Sequence, residues 1–105
     1  RMFYLVYVSY AVRSLSENEL IQILMASREN NKAMGITGML LYLQERFIQV
    51  LEGNEHQVRQ LYTKITQDPL HKKVTVILEG TSKHRMFKDW SMGFKNLSHT
   101  DFTRL

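Results

Sequence analysis

Residues 3–10, Phe-Tyr-Leu-Val-Tyr-Val-Ser-Tyr, are rich in β-branched and aromatic side chains and predict a strand. Alternation puts Phe3, Leu5, Tyr7 and Ser9 on one face and Tyr4, Val6, Val8 and Tyr10 on the other. Large side chains on both faces predict a central strand. The period then changes. Ser16-Glu-Asn-Glu19 has the spacing of a capping box, and Leu20, Ile23, Leu24, Ser27 and Asn31 follow helical spacing down one stripe that Asn30 borders. Gly35 closes that helix, and Ile36 to Leu43 predicts a second strand. Gln44-Glu45 is a short polar link to a third strand over residues 46–52, which together read as a hairpin. Asn54 is the expected N-cap of a second helix with Val58, Leu61, Tyr62 and Ile65 inward, and Asp68-Pro69 stops it. A fourth strand is predicted over residues 73–79. After a loop over residues 82–89, a fifth runs from Trp90 to about Leu97, with Trp90, Met92 and Phe94 on one face.

The order βαββαββ predicts an α+β, ferredoxin-like fold: a five-stranded mixed sheet with two helices packed on one face. Right-handed crossovers make the first and third strands neighbours, so Tyr7 and Gln49 stand side by side. Gln49 shares an apolar face with Phe47 and Leu51, where an unpaired carboxamide would cost roughly 1–3 kcal/mol. If both point toward the helices they meet Asn30 and Asn31. Three amides and a phenol converging there predict a pocket for a flat ligand with a polar edge.

At 105 residues the chain is one domain, and 44% hydrophobic and 23% charged content is ordinary for a soluble globular protein. No apolar run reaches transmembrane length, and Met2 opens no signal-peptide pattern. Cysteine is absent, which removes disulfides and thiol catalysis and is compatible with a cytoplasmic location. Arg1 ahead of Met2 is expected to be foreign to the natural start. The net charge of +4 and pI near 9.5 raise nucleic acid as a partner, but the basic residues are dispersed and only Lys72-Lys73 are adjacent.

Enzymatic signals are few. His56, His71, His84 and His99 lack ligand-like spacing, and neither a nucleophile elbow nor a phosphate loop is present. Asp68 and Glu52 read as a helix-end charge and a strand-end cap rather than a catalytic pair. Gly35-Ile-Thr-Gly38 superficially matches a clamp for single-stranded nucleic acid, but that clamp joins two helices, and here a strand follows.

Tyr7, Asn30-Asn31, Ile36-Thr-Gly-Met-Leu-Leu-Tyr42, Phe47-Ile-Gln-Val-Leu-Glu-Gly53, Asp68-Pro-Leu-His71 and Arg85-Met-Phe-Lys-Asp-Trp-Ser-Met92 lie in the order and spacing of one family. Together they resemble the BLUF domains, blue-light sensors that use flavin. The resemblance covers essentially the whole chain. It implies non-covalent FAD, or FMN or riboflavin, held between the two helices. Tyr7 and Gln49 are then the photoactive pair, with light-driven electron and proton transfer rearranging the hydrogen bonds of Gln49. Asn31 would bond the ring's carbonyl edge beside Asn30, and Lys64, oriented by Asp68, would stand near the pyrimidine side. Ile23, Leu24, Leu40 and Ile65 would be apolar walls, and Arg28 with Lys32 would meet phosphates. The signal is expected to leave through Trp90, Met92 and Ser9 to a downstream protein or fused effector, with a homodimer or higher oligomer also open. Residues 1–105 are expected to be one sensor domain without the family's C-terminal helical extension, and not an enzyme by itself. The competing readings are a ferredoxin-like nucleic-acid- or protein-binding domain without cofactor, and a small flavin-dependent oxidoreductase. The light-sensor reading expects neither membrane nor direct nucleic-acid contact.

Overall fold

In the computed structural model, which describes residues 2–97, the first strand β1 (Met2–Ala11) is central. Its inward side chains Phe3, Leu5, Tyr7, Ser9 and Ala11 are all buried. It pairs antiparallel with β3 (Arg46–Gly53) on one side and β4 (His71–Ser82) on the other. β2 (Thr37–Leu43) is antiparallel to β3, and β5 (Gly93–Asn96) is parallel to β2 at the edge. The order β4-β1-β3-β2-β5 is the expected five-stranded mixed sheet. Arg1 and His99 lie outside the described residues.

Helix α1 (Glu17–Met34) starts where Ser16 Oγ accepts the Glu19 N–H (3.2 Å) and Glu19 Oε1 accepts the Ser16 N–H (3.0 Å), a reciprocal capping box. It ends at Gly35, whose left-handed φ of 67° lets its N–H reach the Asn31 and Lys32 carbonyls. Gly35 and Gly38 therefore flank a helix-to-strand turn, and the helix-to-helix clamp is not the geometry they make. Helix α2 (Glu55–Gln67) is capped by Asn54 and keeps Val58 fully buried, while Leu61, Tyr62 and Ile65 are half-buried. Leu61 and Ile65 face a gap between the helices, and the Tyr62 ring packs edge-on against Tyr7.

Strand ends shift from the sequence reading, β4 running on to Ser82 rather than Glu79 and β2 starting at Thr37 rather than Ile36, and two differences shape the site. β4 begins at His71 rather than Lys73 and is irregular. From Tyr7 to Ala11, β1 advances four positions while β4 advances five, from Val76 back to His71. The extra residue falls where Lys73 takes a φ of 54°, a β-bulge. Val76, opposite Tyr7, faces the helices, so uninterrupted alternation would have turned residue 71 to the opposite face. The bulge turns His71 inward.

The second difference is that β5 begins at Gly93, so Trp90 and Met92 precede it and do not share a strand face. Met92 is buried, whereas Trp90 is 49% exposed and stacks on Phe87. Helix α1 holds this segment off a regular ladder: Asn31 Nδ2 donates to the Ser91 carbonyl (2.9 Å) and Arg28 Nε to the Met92 carbonyl (2.8 Å). Upstream, buried Glu52 accepts from the Met86 N–H (2.8 Å), the Phe87 N–H (2.7 Å) and the Thr37 hydroxyl (2.7 Å). It caps a loop, as a strand-end carboxylate should.

Gly38 packs so tightly that an added Cβ would lie 1.9 Å from the Val50 carbonyl oxygen and 3.2 Å from the Met92 terminal methyl. Gly38→Ala is expected to destabilise the fold by about 1–3 kcal/mol, read as a lower urea midpoint. An unchanged midpoint would contradict this close approach.

Candidate functional site

Register brings the site together. Tyr7 on β1 is the direct partner of Gln49 on β3, which is the direct partner of Leu40 on β2. Residues in one row across a sheet project to one face, and all three are buried beneath the helices. The Tyr7 hydroxyl donates to Gln49 Oε1, and Gln49 Nε2 donates to the thioether Sδ of Met92 (3.3 Å). The carboxamide therefore joins a phenol to a methionine through its acceptor and its donor. Burial pushes the Tyr7 pKa well above that of a free phenol, and the negative Asp68 and then Tyr62 add to it. Tyr7 is thus a neutral donor.

Between the helices and this row lies a cavity of about 250 Å³. α1 contributes Ile23, Ser27 and Asn30 to its wall, α2 contributes Leu61 and Ile65, and the sheet contributes Tyr7, Leu40, Phe47 and Gln49. Asp68, Leu70 and His71 close it where α2 turns into β4. Of the residues singled out from sequence, Tyr7, Gln49, Asn30, Ile23, Leu40, Ile65 and Asp68 meet at this cavity.

The others lie elsewhere. Leu24 is buried in the adjoining core. Asn31 is fully buried, but its amide nitrogen serves Ser91 and Ser27, and its Oδ1 has no hydrogen-bond partner. Arg28 Nε donates to the Met92 carbonyl, and the exposed Arg28 lines a surface hollow together with Lys32 and Glu29. Lys64 lies in a separate surface hollow with His56, Arg59 and Thr63. Asp68 does not orient it: as the non-helical C-cap of α2, Asp68 accepts the Leu70 N–H (2.9 Å) through Oδ1. The i,i+4 helix geometry assumed for that pair ends one residue too early. Between Trp90 and Met92, the inward residue is Met92.

Sequence reasoning missed the wall residues Ala26, Leu70 and His71, of which His71 alone brings a polar side chain. Its Nδ1 is 2.9 Å from the buried Ser9 Oγ, and its ring packs edge-on to Tyr7 and tilted against Phe47. The motif Asp68-Pro-Leu-His71 held the signal, but only the bulge makes it inward. Burial lowers the His71 pKa, and Asp68 opposes that shift without reversing it.

Comparison with known proteins agrees with this geometry. Residues 2–93 match the family described as BLUF, sensors of blue light using FAD. The photoactivated adenylate cyclase subunit beta of Euglena gracilis is 35% identical over 89 residues, covering 84% of this chain and 10% of that protein. Among solved structures, a bacterial light-regulated adenylyl cyclase superposes with a TM-score of 0.91 at 38% identity, over 96% of this chain and 30% of that one. The dark state of BlrB, a BLUF protein, gives 0.85 at 33% identity, over 90% and 72% respectively. The chain thus spans only about a tenth of the curated relative's length.

The lowered pKa of His71 has a consequence for stability. Below the ordinary histidine value of 6.5 and above the lowered value of the folded state, the unfolded chain binds a proton that the folded chain refuses. Stability should therefore fall as pH drops through that window. Urea unfolding at about pH 7.5 and about pH 5.5 should show a smaller loss in His71→Phe than in the parent. Equal losses would refute the assignment.

Proposed function

Because this chain belongs to the BLUF family of flavin-based blue-light sensors, we propose that residues 1–105 act as one photosensory module that binds FAD non-covalently. Tyr7 and Gln49 would be its photoactive pair. The observation that carries this reading is the Tyr7–Gln49 hydrogen bond at the edge of a cavity between two helices. The residues present suit a flavin ring. Ile23, Leu40 and Ile65 offer apolar walls, Asn30 and Gln49 offer amides, and the buried Asn31 Oδ1 still lacks a donor. At about 250 Å³ the cavity is smaller than the roughly 300–1,000 Å³ that takes a whole drug-sized ligand. It fits a ring system whose chain stays outside, so FMN or riboflavin would serve the same site.

When bound, the flavin supplies blue-light absorption and an electron acceptor. The protein's own steps begin at Tyr7. Loss of an electron makes its phenol strongly acidic, and the proton passes along the existing hydrogen bond to Gln49 Oε1. When electron and proton return, Gln49 settles with a changed hydrogen-bond arrangement, reached by rotation or tautomerisation. Its Nε2–H then no longer serves Met92 Sδ. Met92 is tied by its own carbonyl to Arg28, and Ser91 to Asn31, so the change would be felt on α1 and at exposed Trp90.

Output would lie beyond this module. The relatives named as photoactivated and light-regulated cyclases suggest a fused or separate effector that holds any enzymatic activity. Exposed Tyr10, Ile48 and Leu78, on the sheet face away from the helices, are a surface that an effector or a second copy could cover. No described helix is long and apolar enough to cross a membrane, and a cytoplasmic location fits the absence of cysteine.

The test is the absorption spectrum of the flavin-loaded protein in darkness and after blue light. The parent should show a red shift that reverses in the dark. Gln49→Leu should bind flavin without the shift, and Tyr7→Phe should bind flavin without the normal photoproduct. A colourless protein, an unshifted parent spectrum or a normal shift in Gln49→Leu would sink this function.

A further inference from the structure

Glu52 is a buried carboxylate outside the Tyr7–Gln49–Met92 chain. It follows Gln49 by three residues on β3, in the row Tyr4–Glu52–Thr37, so alternation turns it to the sheet face away from the helices. A carboxylate on an open sheet face keeps its water, yet Glu52 is 3% exposed. The segment between β4 and β5 has taken the place of that water. The Thr37 hydroxyl and the Phe87 N–H donate to Oε1 (2.7 Å each), and the Met86 N–H donates to Oε2 (2.8 Å). Arg85 Nη1 joins the cluster through the Glu52 carbonyl (3.3 Å) and Thr37 Oγ1 (2.9 Å).

The other end of the segment lies on the opposite face. Met92 is buried, its Sδ accepts from Gln49 Nε2, and its carbonyl accepts from Arg28 of α1. The segment therefore passes from the outer face to the helix face around the start of β2, where the Gly38 N–H donates to the Trp90 carbonyl (3.1 Å). Between its ends it is stiffened. The Trp90 N–H donates to the Phe87 carbonyl (2.9 Å), and the two rings stack with centroids 5.8 Å apart. Glu52 holds the amide of that same Phe87. β3 thus grips one segment twice, with Glu52 on one face of the sheet and Gln49 on the other.

We propose that Glu52 is a positioning residue for the light response. From the far face of the sheet it holds the segment so that Met92 Sδ meets Gln49, and this grip drives the return from the light state. The inference rests on the flavin reading above and extends it to the opposite face of the sheet. Glu52 does not line the cavity, so it acts only through the segment. When Gln49 rearranges and its Nε2–H leaves Met92 Sδ, the inner end of the segment is released while the outer end stays fixed. The segment then has two arrangements, and Glu52 biases their balance toward the dark one. The Met86 and Phe87 amides become the far-face contacts at which the change registers.

The test uses the whole chain loaded with FAD. Glu52→Gln keeps the size of the side chain but turns one acceptor oxygen into an NH2 group, which leaves a segment amide without its acceptor. It should bind FAD and show the parent's red shift, and its dark recovery should slow about tenfold, the equivalent of one lost hydrogen bond. Thr37→Val removes one donor to Glu52 and leaves both segment amides held. It should lower the urea midpoint and recover within about twofold of the parent. In the parent, the Met86 and Phe87 amides should exchange with deuterium faster under continuous blue light than in darkness. Recovery in Glu52→Gln at or above the parent rate, equal slowing in Thr37→Val, or exchange unaffected by light would overturn the proposal and leave the flavin reading intact. A parent without a light-induced shift would overturn both. If Glu52→Gln fails to fold, by circular dichroism, amide exchange in the parent decides alone.

Discussion

The site depends on one requirement: a carboxamide buried in an apolar sheet must have every polar atom occupied. Gln49 meets it with Tyr7 on its oxygen and Met92 on its nitrogen. These two partners are unequal. A phenol is a strong donor, and a thioether sulfur is a weak acceptor. The arrangement is stable because both positions are filled, and it is replaceable because one of them is filled poorly. A ligand carbonyl at the same place would be a better acceptor than sulfur. A residue that can satisfy itself in two ways at small cost is what a switch requires.

The register of β1 against β3 makes this economical. Because Tyr7 and Gln49 are direct cross-strand partners, their distance is set by the sheet ladder and not by a loop. The helices then need only leave a gap, and α2 does so by keeping one residue, Val58, fully buried while Leu61 and Ile65 of its apolar stripe border the cavity. The incompletely covered stripe reflects the cavity it lines.

Much of this was legible in the sequence. Regular alternation in residues 3–10 and 46–52 gave the correct faces for Tyr7 and Gln49, and the capping box gave the start of α1 to the residue. The losses came where the backbone departs from a simple period. The bulge near Lys73 inverts the phase of β4, so His71 could not be placed inward by counting. The segment before β5 is shaped by side chains of α1 contacting its carbonyls, so alternation wrongly grouped Trp90 with Met92. Lys64 and Asp68 were paired by helix spacing, although the helix had already ended. Periodicity records regular backbone only; these three features are tertiary.

The stretch from Arg85 to Met92 is pinned at both ends. Glu52 grips the Met86 and Phe87 amides at one end, and Arg28 and Asn31 grip the Met92 and Ser91 carbonyls at the other. Between them only Lys88, Asp89 and Trp90 are free of these anchors, and the Trp90 N–H is itself bound to the Phe87 carbonyl. Such a span behaves as a short clamped beam with little slack. The Trp90 carbonyl is held in turn by the Gly38 N–H (3.1 Å), so a displacement imposed at Met92 must twist Trp90, pull on α1 or load the start of β2.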